Sequence, residues 1–342
     1  MILDCYKLSM KFRKNKEQSG LFDFIDRVQE LSSRASSLDK LNKLIDFEVF
    51  RPKLLEILDY GQHEKGGRPP WEAVLMFKVL IIQRYYDLSE EETEFQILDR
   101  FSFQRFLGLS VGDAVPDKNT IWDFKQRLGP EGMKALFELF GTLLAEQGLV
   151  GKGGKIIDAS FVDAPRRRVS EESLKRLSRK ARSHVDEDAR WAKKGNETHF
   201  GYKNHAKCDA ASKFVEDFEV TSAEVHDSNT LEDLLDENVQ SLYADSAYKS
   251  AEIDELLGNG KVKNMIHQKG YRNHPLSDLQ KQINTLKSTV RCRVEHIFGF
   301  QANSLGADWI RTIGIERAGF ETGLSNLVYN LCRCVQLGAM MK

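Results

Sequence analysis

Three acidic residues stand where a charge is expensive. Asp158 lies in the second half of the apolar run Lys155-Ile-Ile-Asp-Ala-Ser-Phe-Val162, Asp245 ends Ser241-Leu-Tyr-Ala-Asp245, and Glu295 sits inside Arg291-Cys-Arg-Val-Glu-His296. A carboxylate among apolar neighbours costs several kcal/mol unless it is paired or metal-bound. Three hard oxygen donors from separate elements are the ligand type that Mg²⁺ or Mn²⁺ prefers. Two such ions about 3.5–4 Å apart can activate an attacking oxygen and stabilise a leaving one in an in-line phosphoryl transfer. The plainer alternative is chance, since any one of 51 acidic residues can fall at a strand end. Taken singly, each position favours chance.

The elements that would carry these residues fall into two textures. From Leu21 to about Ala145 the apolar spacing is helical. An almost wholly apolar helix over 71–86 opens after Pro69-Pro70 and should be the buried centre of a bundle. Ser89, with Glu92 three residues on, starts a helix to about Asp99, and Gly108 closes another begun at Phe101. Asp117 or Asn119 caps a helix over 120–128 that stops at Gly129-Pro130. The last two allow a helix-turn-helix reading, with Lys118, Lys125 and Arg127 on the second helix as DNA contacts. Past the glycine-rich joint at 151–154 the pattern alternates. Strands are expected at 155–162, 199–208 and 214–222, a helix at 229–235, a strand at 241–245, a helix at 250–257, a strand at 263–267 and a long helix at 276–298. The expected class is α+β or α/β, an all-α DNA-binding domain over 1–149 followed by a mixed sheet flanked by helices over 152–336.

Composition narrows the partners. The 342 residues carry 50 basic and 51 acidic side chains, a formal net charge of -1 that looks indifferent to nucleic acid. Split along the chain, however, the charge is -3 over 1–149, +7 over 150–207, -12 over 208–259, +6 over 260–317 and +1 beyond. Two basic blocks bracket an acidic one, as a DNA-facing surface around a carboxylate site would, although exposed helices of varying charge read the same way. Apolar runs such as Val79-Leu-Ile-Ile82 are far short of the ~20 residues a membrane span needs, and no secretory leader is legible. A cytoplasmic protein is expected, with five cysteines in no zinc-binding pattern and therefore reduced.

The order of the motifs carries more than any one of them. Asp158-Ala-Ser-Phe-Val-Asp-Ala-Pro165, Asp188-Ala-Arg-Trp-Ala-Lys-Lys194, Gly201-Tyr-Lys-Asn-His205, His226-Asp-Ser228, Ala244-Asp-Ser-Ala-Tyr248 and Arg291 followed by Glu295 together resemble bacterial insertion-sequence DDE transposases of the "IS five" group. Gly67-Arg-Pro-Pro-Trp71, Arg100-Phe-Ser-Phe-Gln-Arg-Phe-Leu-Gly-Leu109 and Val115-Pro-Asp-Lys-Asn-Thr120 resemble that group's N-terminal region. The resemblance implies a ribonuclease H-like core in which Asp158, Asp245 and Glu295 hold two Mg²⁺ ions, with Mn²⁺ as a substitute. It implies a nucleoid-associated enzyme that binds the terminal inverted repeats of double-stranded DNA, cuts, and joins the ends to target DNA. Two ends handled together require a homodimer or higher. The group's signature also has a Tyr where this chain has Ser288 and a Lys where it has Ala302. A nuclease without strand transfer, or a non-catalytic DNA-binding regulator, is the competing reading.

Further DNA contacts are expected around that core. The segment 164–198 is a basic, helical insertion whose Arg166, Arg167, Arg168, Lys193 and Lys194 form a phosphate-binding arm. Trp191 either docks in the core or wedges at a frayed base. Lys203 and His205 share one face of a strand, Asn204 the other, so Lys203 or His205 is a candidate for the scissile phosphate. Arg291, one helical turn before Glu295, can orient that carboxylate or hold a phosphate.

Overall fold

Residues 20, 22–59, 69–151, 153–166, 171–236, 239–259, 262–272 and 274–341 are described by the computed structural model. Among the described residues the N-terminal half is helical: α1 (Asp23–Ser33), α2 (Ser37–Leu44), α3 (Arg51–Leu58), α4 (Ala73–Tyr85), α5 (Glu90–Asp99), α6 (Phe101–Leu107) and α7 (Lys118–Glu146). Helix α4 buries ten of its residues, as its all-round apolar sequence demands, and Glu72 caps it by accepting from the Val74 and Leu75 amides. Ser89 caps α5 through the Glu92 amide, Gly108 ends α6 at φ 77°, and Asp117 caps α7 through the Thr120 amide. Helix α7 departs from expectation, because Gly129-Pro130 kinks it rather than ending it. Gly129 takes φ 60°, ψ 175°, Pro130 needs no amide partner in the turn that follows, and Met133, Leu136, Phe137 and Phe140 then bury the second segment.

The second half is built on β1 (Gly154–Asp163), α8 (Glu171–Arg176), α9 (Arg179–Arg182), β2 (Arg190–Lys194), β3 (Glu197–Asp209), β4 (Val215–Ser222), α10 (Leu231–Leu234), β5 (Ser241–Tyr243), α11 (Ala251–Asn259), β6 (Lys263–Asn264), α12 (Asp278–Arg291), α13 (Arg293–Leu305) and α14 (Ile315–Leu337). The strands form one mixed sheet in the order β2-β3-β1-β5-β6, with β4 also paired to β3. Strands β1, β3 and β4 are successively antiparallel, whereas β5 joins β1 and β6 joins β5 in parallel. A mixed sheet flanked by helices is the expected class. Two expectations are corrected. The basic insertion is not helical throughout, since α8 and α9 are short and Arg190–Lys194 pairs with the start of β3 as an edge strand. The long helix expected over 276–298 is two helices, broken at Cys292.

No local pattern announces helix α14, yet it buries fourteen residues. It packs on α2, α4 and α7 on one side and on α13 and β4 on the other, so the helical half and the sheet share one apolar core. Asn330 docks it to the sheet through both the amide and the carbonyl of Val215. The opposite sheet face packs Ile157, Leu242, Ala244 and Tyr248 against α10 and α11. Among the described residues the cysteines are free, and no helix is long and apolar enough to cross a membrane.

Candidate active site

Strand alternation sends Asp158 to the face that carries Ile156 and Ala206, the side on which α13 packs. The parallel register pairs Tyr243, the last residue of β5, with Ile156, and Asp245 follows two residues past the strand end, as Asp158 follows Ile156. There the chain turns, and Asp245 accepts from the Ala247 amide at 2.7 Å. Glu295 is presented by the first turn of α13. Arg291 ties two of the three together: its Nη1 donates to Asp158 Oδ2 at 2.7 Å and its Nη2 to Glu295 Oε1 at 3.0 Å. The Asp158 side chain is 14% exposed and that of Glu295 62%, so one end of this bridge is buried and the other faces solvent.

Burial pushes the Asp158 carboxyl above its usual range. The Ala159 amide and Arg291 pull against that push, Asp245 adds to it, and Lys194 pulls weakly the other way. Two carboxylates repelling each other beside a third form a donor set suited in kind to a hard divalent cation. Among the described residues, however, no three His, Cys, Asp or Glu side chains converge closely enough to hold a metal as they stand. The positive charge between Asp158 and Glu295 is the guanidinium of Arg291.

Other expected residues divide by face and exposure. Lys203 and His205 do share a face, but the β1 register pairs them with Phe161 and Ala159, the side opposite Asp158. Both are buried: Lys203 donates to Asp227 and to the Val225 carbonyl, and His205 Nε2 meets the Thr221 hydroxyl at 2.9 Å. Neither reaches the carboxylates, nor is a buried side chain free to meet a phosphate. Lys125 is likewise enclosed, held by Glu90 at 2.9 Å and Glu321 at 2.7 Å, so it joins α7 to α5 and α14 rather than facing DNA. Lys118 and Arg127 are exposed, the former 3.4 Å from Glu91. Lys193 and Lys194 are exposed on β2. Exposed Arg166 lies over the Trp191 ring, and Trp191 rests against Phe200 while remaining 49% exposed. Arg167 and Arg168 lie outside the described residues.

Two features escape a reading of the sequence. His267 continues the β5–β6 pairing beyond β6 through an amide bond to the Ala244 carbonyl, and its Nε2 meets the Ser288 hydroxyl at 3.2 Å. Burial, then Arg291 and Lys287, hold its pKa below the ordinary value, with Asp245 pulling the other way. The signal would have been the parallel pairing itself, which no local pattern encodes. Asp186 and Asp188 receive the Gly314 and Ile315 amides, and Tyr202 donates to Asp186, pinning the end of the insertion to the start of α14.

Comparison with known proteins gives two family matches. The family described as "Transposase domain (DUF772)" matches residues 26–127, and the family described as "Transposase DDE domain" matches residues 151–331. Among solved structures, a cryo-EM piggyBac transposase synaptic complex with hairpin DNA aligns at a TM-score of 0.45 and 10% identity, over 86% of this chain and 76% of that one.

Proposed function

Since the chain belongs to the transposase DDE domain family, we propose that Asp158, Asp245 and Glu295 are its metal-binding carboxylates and that it mobilises a bacterial insertion sequence of the "IS five" group. Members of this family act on DNA with the help of divalent metal ions. The finer reading is that it binds the terminal inverted repeats as a dimer or higher, takes up two Mg²⁺ ions, cuts to expose 3′ ends and transfers those ends to target DNA. The observation that carries it is the convergence of Asp158 and Glu295 on one guanidinium, with Asp245 two residues past the end of the neighbouring strand β5.

When bound, the ions would polarise the scissile phosphate and lower the pKa of an attacking water. The chain's own residues supply placement. Strand β1 fixes Asp158 within the sheet, the turn just past β5 holds Asp245, and α13 brings the glutamate from outside the sheet. Exposed Lys193, Lys194 and Arg166 on and beside β2 would hold phosphates of the bound duplex, and the exposed half of Trp191 would offer a base an apolar contact. Lys118 and Arg127 would serve the helical half.

Asp158→Asn, Asp245→Asn and Glu295→Gln should each lower cleavage of end-bearing DNA by more than about a thousandfold, because positioning and metal electrostatics are the whole of the catalysis. Gel-shift affinity for the same DNA should stay within about threefold, each change removing a single charge from the DNA-facing surface. Cleavage surviving in any of the three would overturn the assignment. Strand transfer from pre-cleaved ends then separates a transposase from a simple nuclease.

A further inference from the structure

Arg291 lies between Asp158 and Glu295, the two carboxylates read above as metal ligands. Its Nη1 lies 2.7 Å from Asp158 Oδ2 and its Nη2 3.0 Å from Glu295 Oε1, so it takes a lone pair from each carboxylate. Its third donor, Nε, is buried with no hydrogen-bond partner, which makes this pose an incompletely satisfied one. Arg291 is also the last residue of α12, and Cys292, where the chain passes into α13, breaks the helical run. The side chain is 21% exposed, so it has a way out towards solvent. A guanidinium lodged between the two carboxylates competes with a divalent ion for the same space, and the two charges repel.

We propose that Arg291 is a resident counter-cation that closes the carboxylate site in the DNA-free protein and must swing off Asp158 and Glu295 before divalent metal enters. A DNA phosphate is the natural acceptor for the released guanidinium, which matches phosphate oxygens as it matches carboxylate ones. Metal uptake and DNA binding are then linked through one side chain, and each favours the other. The proposal rests on the reading of Asp158 and Glu295 as metal ligands. An arginine that merely positions Glu295 predicts the opposite sign, since its removal would loosen the site and weaken metal binding.

The test is a titration of the DNA-free full chain with Mn²⁺ alone, the free ion being followed by its paramagnetic resonance signal. Arg291→Gln should bind Mn²⁺ at least about tenfold more tightly than the wild type, a gain of about 1.4 kcal/mol. Asp158→Asn in that background should abolish the gain. Arg291→Lys keeps the charge but gives up the fork that grips two carboxylates, so it should shift affinity in the same direction by less. It decides the matter if the glutamine variant does not fold. Unchanged or weaker Mn²⁺ binding in the folded variants overturns the proposal, as does a gain that survives Asp158→Asn. Failure of the ligand reading has a different signature: Asp158→Asn and Glu295→Gln would then retain DNA cleavage in the wild-type background. If those two lose cleavage while Arg291→Gln gains no metal affinity, only the counter-cation role falls.

Discussion

At the scale of single residues, burial sorts side chains that look alike in sequence. His205 is fully buried, and desolvation pushes its pKa down to about 4, with Asp227 resisting and Lys203 assisting. The folded protein therefore takes up this proton only in stronger acid than the unfolded chain, whose imidazole titrates near 6.5. Stability that depends on neutral His205 is complete above that value and is lost as pH falls towards about 4. His205→Gln should lose on the order of 2 kcal/mol less unfolding free energy than the wild type between pH 7 and pH 4; equal losses in urea titrations would contradict this. Lys125→Met should strip Glu90 and Glu321 of a buried partner and cost about 3 kcal/mol in the same assay, leaving the salt dependence of DNA binding unchanged. The three carboxylates were legible through the order of the motifs around them rather than singly, since Glu295 sits among charged neighbours and its side chain is 62% exposed. Alternation put Lys203 and His205 on one face, but which face is set by the pairing of Asp158 with Ala206, a long-range register that no local spacing contains.

Elements were legible where a cap or a period marks them and obscure where tertiary contacts decide. Ser89, Gly108 and Asp117 end their helices as their chemistry requires. The edge strand β2 was hidden because all five of its residues leave the core to the neighbouring strand, so no apolar alternation advertises it. Helix α14 was hidden for the reverse reason: buried Thr322, Ser325, Asn326 and Asn330 interrupt its apolar pattern, Asn330 to bond β4 and Asn326 to join the Asn204 and Gln301 amides. Among the described glycines the least room for a side chain is at Gly201 in β3, where a Cβ would stand 2.2 Å from the Val162 carbonyl oxygen and 2.9 Å from the Ala164 nitrogen. Both are backbone atoms and cannot step aside. Gly201→Ala should therefore cost more than about 3 kcal/mol and shift the β1–β3 pairing that carries Asp158. A urea midpoint within error of the wild type would refute it.

Over the whole molecule, the net charge of -1 conceals a polarised arrangement. Three exposed basic residues of the insertion, Arg166, Lys193 and Lys194, are carried on or next to the β2–β3 hairpin, while exposed Glu232 and Asp233 stand on α10, which covers the sheet face opposite Asp158. Replacing the three basic residues with Ala should weaken DNA binding and reduce the slope of log affinity against log salt by about one for each phosphate that is no longer neutralised. Replacing Glu232 and Asp233 with Gln and Asn should leave that slope alone, and a slope changed by the acidic pair would mean DNA lies on the other face. The two textures of the sequence were legible as a helical and a sheet-bearing half, but their common core was not, because it is completed by α14, which follows the sheet in sequence and packs on both halves. That feature governs synthesis as well as packing. Both halves leave the ribosome before the helix that joins them, so neither the bundle nor the sheet can close its apolar face until residues 315–337 have emerged. A chain made only as far as residue 314 lacks the helix on which both apolar faces meet, so the bundle and the sheet are joined only once α14 is in place.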